Sequence, residues 1–225
     1  MSLFRSIQAV TFDAGGTLIQ PWPSVGHIYA EVARRHGFTN LSAEKLDRQF
    51  SAAWRKLKNF NHTREEWAAL VDQTFAGASG PPPSRAFFPE LYDRFAGPGA
   101  WHIYDDVLPA LDALAAAGLQ LAVVSNWDER LRPLLEQMGL AKYFETVVVS
   151  CEVGFPKPSP VIFEHAARRL GLPHGRILHV GDNLEADVRG AKSAGFCALL
   201  LDRKKERDGP EQIKSLRDLA GVVGC

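Results

Sequence analysis

The sequence predicts an α/β protein: a parallel sheet with helices on both faces, interrupted once by a helical insertion. Three observations carry this. Short apolar runs of strand length recur along the chain. Between the later runs lie helical patterns that end at glycines. One long segment near the start breaks the alternation and contains no run that reads as a strand.

Ile7 to Phe12 is the first apolar run. Leu119 to Val124, Thr146 to Ser150, Ile177 to Val180 and Cys197 to Leu201 follow. They are continuous rather than alternating, as in strands buried on both faces. Helical patterns separate them over Val107 to Ala117, Asp128 to Met138, Pro160 to Leu170 and Glu185 to Ala194. Gly118, Gly139, Gly171 and Gly195 stand where these helices should end in left-handed caps. Strand alternating with helix implies βαβ units and right-handed crossovers.

From about Ser24 to Ala96 the pattern is helical throughout, over Val25 to His36, Ala43 to Leu57, Arg64 to Phe75 and Arg85 to Phe95. Pro21-Trp22-Pro23 precedes it and Gly97-Pro98-Gly99 follows. The expected division is a core of 1–20 and 98–225, with 21–97 as an inserted bundle on a hinge. Trp54 and Trp67 are expected to fill the bundle's interior.

Composition removes several classes of function. The 225 residues suffice for one sizeable core or a core with a small insertion. Lys plus Arg and Asp plus Glu are 26 each, so no net charge draws the chain to nucleic acid or an anionic membrane. Cys151, Cys197 and Cys225 are an odd, widely spaced set. That pattern disfavours a disulfide framework or zinc ribbon and fits a reducing cytoplasm. No apolar stretch is long enough to span a bilayer, and Met1 to Val10 reads as strand rather than signal peptide. The charged run Asp202 to Asp208 reads as a solvated loop.

Four motifs fall at the C-terminal ends of four strands, where open parallel sheets bind ligands. The first strand runs into Phe12-Asp13-Ala14-Gly15-Gly16-Thr17, and Asp13 reads equally as a turn cap or a site carboxylate. The second ends in Ser125-Asn126-Trp127, where Ser125 suits a phosphate oxygen or a helix N-cap. After the third comes Pro156-Lys157-Pro158, a lysine in a stiff extended segment or simply a surface residue. The fourth ends in Gly181-Asp182, with Asp187 five residues on. Carboxylates so placed suit Mg²⁺, and they would also complement a helix dipole.

In this order the motifs resemble those of the haloacid dehalogenase-like (HAD) superfamily of hydrolases, and the insertion resembles its helical C1 cap. Within the superfamily, Ser125-Asn126-Trp127-Asp128 and Pro156-Lys157-Pro158 most resemble the group called HAD-like hydrolase domain-containing protein three. The resemblance spans Ile7 to Leu201 and implies a Rossmann-like core. It implies Asp13 as the nucleophile, forming an aspartyl-phosphate. It implies Mg²⁺ held by Asp13, the backbone carbonyl of Gly15, Asp182 and Asp187. Ser125 and Lys157 would bind the phosphoryl oxygens, and N–H groups near Ala14 and Asn126 would complete the cradle. The partner implied is a small phosphorylated molecule, met by a monomer or homodimer.

At one position the chain departs from the family. Phosphatases of the superfamily carry a second Asp two residues after the nucleophile, as general acid and base. Here that residue is Gly15. Three readings follow. The first is a phosphatase for substrates with good leaving groups, or one in which His27, Glu31, His102 or Asp105 stands in. The second is a hydrolase of C–P or C–halogen bonds. A C–P hydrolase would need a lysine such as Lys45, Lys56 or Lys58, although these read better as a solvated face. The third is a phosphate-binding module with negligible turnover.

Overall fold

The expected strands pair in parallel, with ends shifted by one or two residues. The structure is a computed structural model and describes residues 6–57, 60–204, 209 and 211–223. Strands β1 (Ala9–Phe12), β4 (Gln120–Ser125), β5 (Thr146–Val149), β6 (Ile177–Gly181), β7 (Cys197–Leu201) and β8 (Gln212–Ile213) form one sheet in the order β5-β4-β1-β6-β7-β8. All neighbours run parallel. β1 lies at the centre, with Phe12 level with Val123 on one side and Val180 on the other. Every residue of β1 and β6 is buried, as a continuous apolar run requires. β8 has two residues, too few for any hydropathy period, and it was not expected.

Ala9, Ala122, Val124, Ile162, Phe163, Ile177 and Ala191 belong to a buried cluster that joins sheet residues to helix residues. Each large side chain fully buried there stabilises the fold by about 1.5–3 kcal/mol. Helices Val107–Ala116 and Pro160–Leu170 fall where expected. The glycines at 118, 139, 171 and 195 all have φ between 67° and 83°, which an L side chain resists.

Two helices depart from expectation. The segment after β4 becomes helical only at Leu131–Gln137, so Ser125 caps no helix. The segment after β6 is a wide π turn, Leu184–Arg189, followed by a short α-helix, Gly190–Ser193.

Contacts divide the chain into Met1–Ile19 with Ile103–Cys225, and Gln20–His102. Strands β2 (Ile19–Pro21) and β3 (Trp101–Ile103) pair with each other where the chain passes between the units. The second unit is helical: Val25–Arg35, Ala43–Trp54, Arg64–Thr74, Pro83–Ala86 and Phe88–Arg94. The expected Arg85–Phe95 helix is broken at Phe87 because Pro89 has no N–H to continue it. Asp47 ties the first two helices, accepting from Ser24 Oγ and the Gly26 N–H at 2.6 Å each. A Cβ at Gly26 would overlap the Ala43 carbonyl, so only glycine permits this approach.

Tyr29, Val32, Leu46, Phe75, Phe87 and Leu91 fill the helical unit's core. Trp54 does not join them. It is 40% exposed and stacks on Trp67 and Phe50. It is the last residue of its helix, and Phe60 and His62 meet the ring edge-on.

Lys45 and Lys56 are exposed, as a solvated face requires. Lys58, Cys225 and most of the Asp202 to Asp208 run lie outside the described residues, as does the start of the Met1 to Val10 segment. Cys151 and Cys197 are free thiols. Among the described residues no helix is long and apolar enough to cross a membrane.

Candidate active site

β1, β4 and β6 are adjacent, so the residues that leave their C-terminal ends are neighbours in space. Asp13 follows β1, and its N–H is fixed to the Val180 carbonyl at 3.0 Å. Ser125 ends β4 and donates its hydroxyl to Asp13 Oδ1 at 2.8 Å. Lys157 comes in from the loop after β5. Its ammonium donates to Asp13 Oδ1 and to the Val124 carbonyl at 2.8 Å, and to Asp187 Oδ1 at 2.6 Å. Those three bonds engage all three of its protons.

Asn126 acts on Lys157 from the side. Its amide accepts the Lys157 N–H at 2.7 Å and donates to the Lys157 carbonyl at 2.9 Å. This reciprocal pair sets the direction in which the lysine leaves its loop. The Asn126 side chain is thus engaged by protein.

Asp182 follows β6 directly and is exposed, whereas Asp13 and Asp187 are buried. One carboxylate oxygen from each lies within 4.8 Å of the others. The π turn at 184–189 swings Asp187 back beneath the strand end, where Oδ2 accepts the Asn183 N–H at 2.9 Å. Two glycines make room. A Cβ at Gly181 would overlap the Asp187 carboxylate, and one at Gly16 would overlap that of Asp182.

The electrostatics are unbalanced. Burial raises the Asp13 pKa; the Lys157 ammonium opposes this and the Asp187 charge adds to it. Burial also works against ionisation of Asp187, but Lys157 and a hydrogen bond from His179 outweigh it and hold the group below the usual carboxylate range. Burial works against the charge of Lys157 too, yet Asp13 and Asp187 raise its pKa. Asp182, though open to solvent, is pushed up to about 7 by partial burial and by the charges of Asp13 and Asp187. Three carboxylates thus face one ammonium. Oxygen donors in this number, with negative charge in excess, fit a hard divalent cation.

Residues 7–195 match the family described as haloacid dehalogenase-like hydrolase. The chain belongs to this family. It is 34% identical to the haloacid dehalogenase-like hydrolase domain-containing protein 3 of Mus musculus, over 87% of this chain and 82% of that one. It is 33% identical to a glyceraldehyde 3-phosphate phosphatase of Methanopyrus kandleri, over 90% of this chain and 87% of the relative. The crystal structure of a HAD phosphatase from Thermococcus onnurineus superposes with a TM-score of 0.70 at 26% identity, covering 96% of this chain and 97% of that one.

Sequence reasoning passed over two features of this HAD hydrolase. His179 is fully buried under the site, and burial lowers its pKa, so the ring is neutral. A neutral ring has one donor and one acceptor. Nε2 donates to Asp187 Oδ1 at 3.2 Å, and Nδ1 accepts the Thr11 hydroxyl at 2.8 Å. The available signal was a polar residue inside each of two apolar strands. The second feature is Trp127, whose indole edge covers Gly15.

Each residue offered as a substitute acid has neighbours of its own. Glu31 pairs with Arg35, His27 shares a hydrogen bond with Ser24, and His102 packs on Trp22. Asp105 is exposed, and its carbonyl lies at the limit of a bond from Arg217.

Proposed function

We propose that this HAD hydrolase is a Mg²⁺-dependent phosphatase acting on a small phosphorylated metabolite through an aspartyl-phosphate at Asp13. One observation carries the reading: a carboxylate in contact with a hydroxyl and an ammonium, beside two further carboxylates, at one sheet edge. The Methanopyrus relative's name adds support for a phosphorylated small molecule as substrate. Residues 21–97 are taken as the cap that meets the substrate, and the working environment as the cytoplasm. The protein acts as a monomer or homodimer.

Asp13, Asp182, Asp187 and the Gly15 carbonyl would hold Mg²⁺, which supplies the positive charge that lets a carboxylate approach a phosphate. The chain's own residues do the remainder. Lys157 opposes the burial that raises the Asp13 pKa and so favours the ionised form whose oxygen attacks. Ser125 and Lys157 both grip Oδ1, which leaves Oδ2 as the attacking atom. That oxygen bonds to phosphorus as the bond to the leaving oxygen breaks, and water then hydrolyses the acyl phosphate. As phosphate enters, the Ser125 hydroxyl and Lys157 ammonium turn toward its oxygens, with backbone N–H groups near Ala14 and Asn126 completing the cradle.

Purified protein is tested on p-nitrophenyl phosphate and acetyl phosphate with and without Mg²⁺, beside Asp13→Asn. Turnover that needs Mg²⁺ and vanishes in the variant is expected. An unchanged rate in Asp13→Asn refutes the reading. Binding of vanadate or beryllium fluoride without turnover of either substrate would favour a binding module instead.

A further inference from the structure

Gly15 and Gly16 look alike in sequence but differ in cause. Gly16 has φ 79° and lies against the Asp182 carboxylate, so both conformation and space require glycine. Gly15 is not among the positive-φ residues, and its backbone would accept a side chain. What stands in the way is one ring. A Cβ at Gly15 would lie 3.1 Å from Trp127 Cζ3 and 3.8 Å from Cη2, and among the described residues, its chain neighbours aside, no other atom comes within 4 Å. The six-membered edge of the indole alone fills the space that a side chain would enter.

The backbone that carries the ring is held firmly. The Trp127 N–H donates to Ser150 Oγ at 3.1 Å. The Trp127 carbonyl accepts from that hydroxyl at 3.2 Å and from the Cys151 N–H at 3.3 Å. The next residue, Asp128, is buried and grips Arg130 through both carboxylate oxygens. Trp127 itself is only part-buried.

Position 15 matters because of where its loop runs. The N–H groups of Leu18 and Ile19 both return to the Ala14 carbonyl at 2.8 and 3.0 Å. The turn is therefore tight, and it keeps position 15, two residues after Asp13, in the loop that leaves the site. The other neighbours of Asp13 are poor proton donors to a leaving group. In the reading above Lys157 and Ser125 serve Asp13 and the phosphoryl oxygens, and Asp182 and Asp187 form the cation seat. An indole N–H is a hydrogen-bond donor, not an acid.

We propose that Trp127 is a specificity-determining residue. Its indole crowds the space beside Gly15, so that a proton-donating side chain there must displace it, and leaves an aromatic wall there. Turnover is thereby restricted to acyl and aryl phosphates, whose leaving oxygen departs without a proton. The proposal rests on the phosphatase reading above. In the step concerned, an Asp13 oxygen bonds to phosphorus while the phosphorus–oxygen bond breaks. The departing carboxylate or phenolate keeps the electron pair.

The test is a cycle of Gly15→Asp, Trp127→Ala and the double variant, with Trp127→Phe as a milder second route, each checked for folding by thermal unfolding. Rates are taken on a series of aryl phosphates of rising leaving-group pKa and on an alkyl phosphate. For the starting protein the rate should fall steeply along the series. Gly15→Asp alone should change alkyl phosphate hydrolysis less than about threefold, because the indole meets the new side chain. With Trp127→Ala or Trp127→Phe beneath it, the same substitution should raise that rate at least about tenfold and flatten the series. That threshold lies about a factor of ten below the roughly 10²–10⁴ typical of a placed general acid.

A flattened series from Gly15→Asp alone overturns the proposal. So does a double variant no faster than its Trp127 parent. A crystal structure of Gly15→Asp gives a readout independent of turnover: the indole must move or the carboxylate must turn away from Asp13, and an unmoved ring beside an Asp ordered toward Asp13 also overturns it. Asp13→Asn separates the two levels, since an unchanged rate there removes the phosphatase reading rather than the role of Trp127.

Discussion

Two ionic clusters in the sheet-bearing unit use the same ingredients in different proportions. Around Asp106, one carboxylate oxygen accepts from the Arg203 guanidinium, the Ser215 hydroxyl and the Leu216 N–H, each at 2.8 Å. Arg203 also lies 3.8 Å over the Tyr104 ring and donates to the Thr17 carbonyl. Burial alone would raise the Asp106 pKa, but these donors lower it. Around Lys157 the proportions are reversed: three carboxylates share one cation, and Asp182 is pushed up to about 7. The first cluster is matched in charge, though Asp106 Oδ1 and Arg203 Nε have no hydrogen-bond partner among the described residues, and it joins parts of the chain that lie far apart in sequence. The second is left anionic, which costs stability unless something positive enters. That difference is why the second reads as a site and the first as a clasp.

The largest expected effect breaks the anionic cluster at its centre. Asp13→Asn should lower turnover of acetyl phosphate by on the order of 10⁴-fold or more while the chain stays folded, as steady-state rates and circular dichroism would show. Lys157→Met comes next and should cost both activity and stability. Its side chain is 2% exposed and pairs with two buried carboxylates. Removing one partner from such a cluster costs about 3–5 kcal/mol, readable by urea unfolding.

Asp106→Asn sharpens the contrast. It should lower stability by about 1–3 kcal/mol at pH 7 and leave turnover within about threefold, well short of the acid–base range. Because the folded pKa of Asp106 is depressed, its contribution is fully present above the ordinary value of 3.8. It is lost as pH falls through the lower folded value. The gap between wild type and variant should therefore narrow as pH falls below 3.8; a gap that does not narrow would contradict the assignment.

The smallest effect has the opposite sign. The folded pKa of Asp182 is raised, so without metal the folded state is penalised as pH climbs from the carboxylate range through about 7. Asp182→Asn should then raise the melting temperature of the metal-free protein at pH 8 by about 2–4 °C, the equivalent of about 1 kcal/mol. It should also abolish any rise that Mg²⁺ gives the wild type. A lower midpoint in metal-free buffer would mean that Asp182 is not a strained anion.

Strands and most helices were legible because period and punctuation are local. The run at 197–201 and the helix at 160–170 needed only their own residues and a terminal glycine. The site's members were legible because a parallel sheet sends every strand's end to the same edge. Their contacts were not. The pairing of Asn126 with the Lys157 backbone and the placing of Trp127 over Gly15 depend on loops packed across the sheet. No periodicity encodes such contacts. Trp54 misled for a related reason: hydrophobicity says that a ring prefers burial, but ring neighbours at the end of a helix need not cover it fully.

The π turn at 184–189 has a consequence for how this segment can vary. An ordinary helix would advance each residue by about 100°, whereas here the Asn183 carbonyl receives the N–H groups of both Asp187 and Val188. The aim of Asp187 is thus set by how many residues the loop contains more than by which ones they are. Glu185 and Arg189 point to solvent and can drift freely in identity. Loss of a single residue would rewind the segment and carry the buried acid away from its lysine, so this stretch tolerates spelling changes but not changes of length.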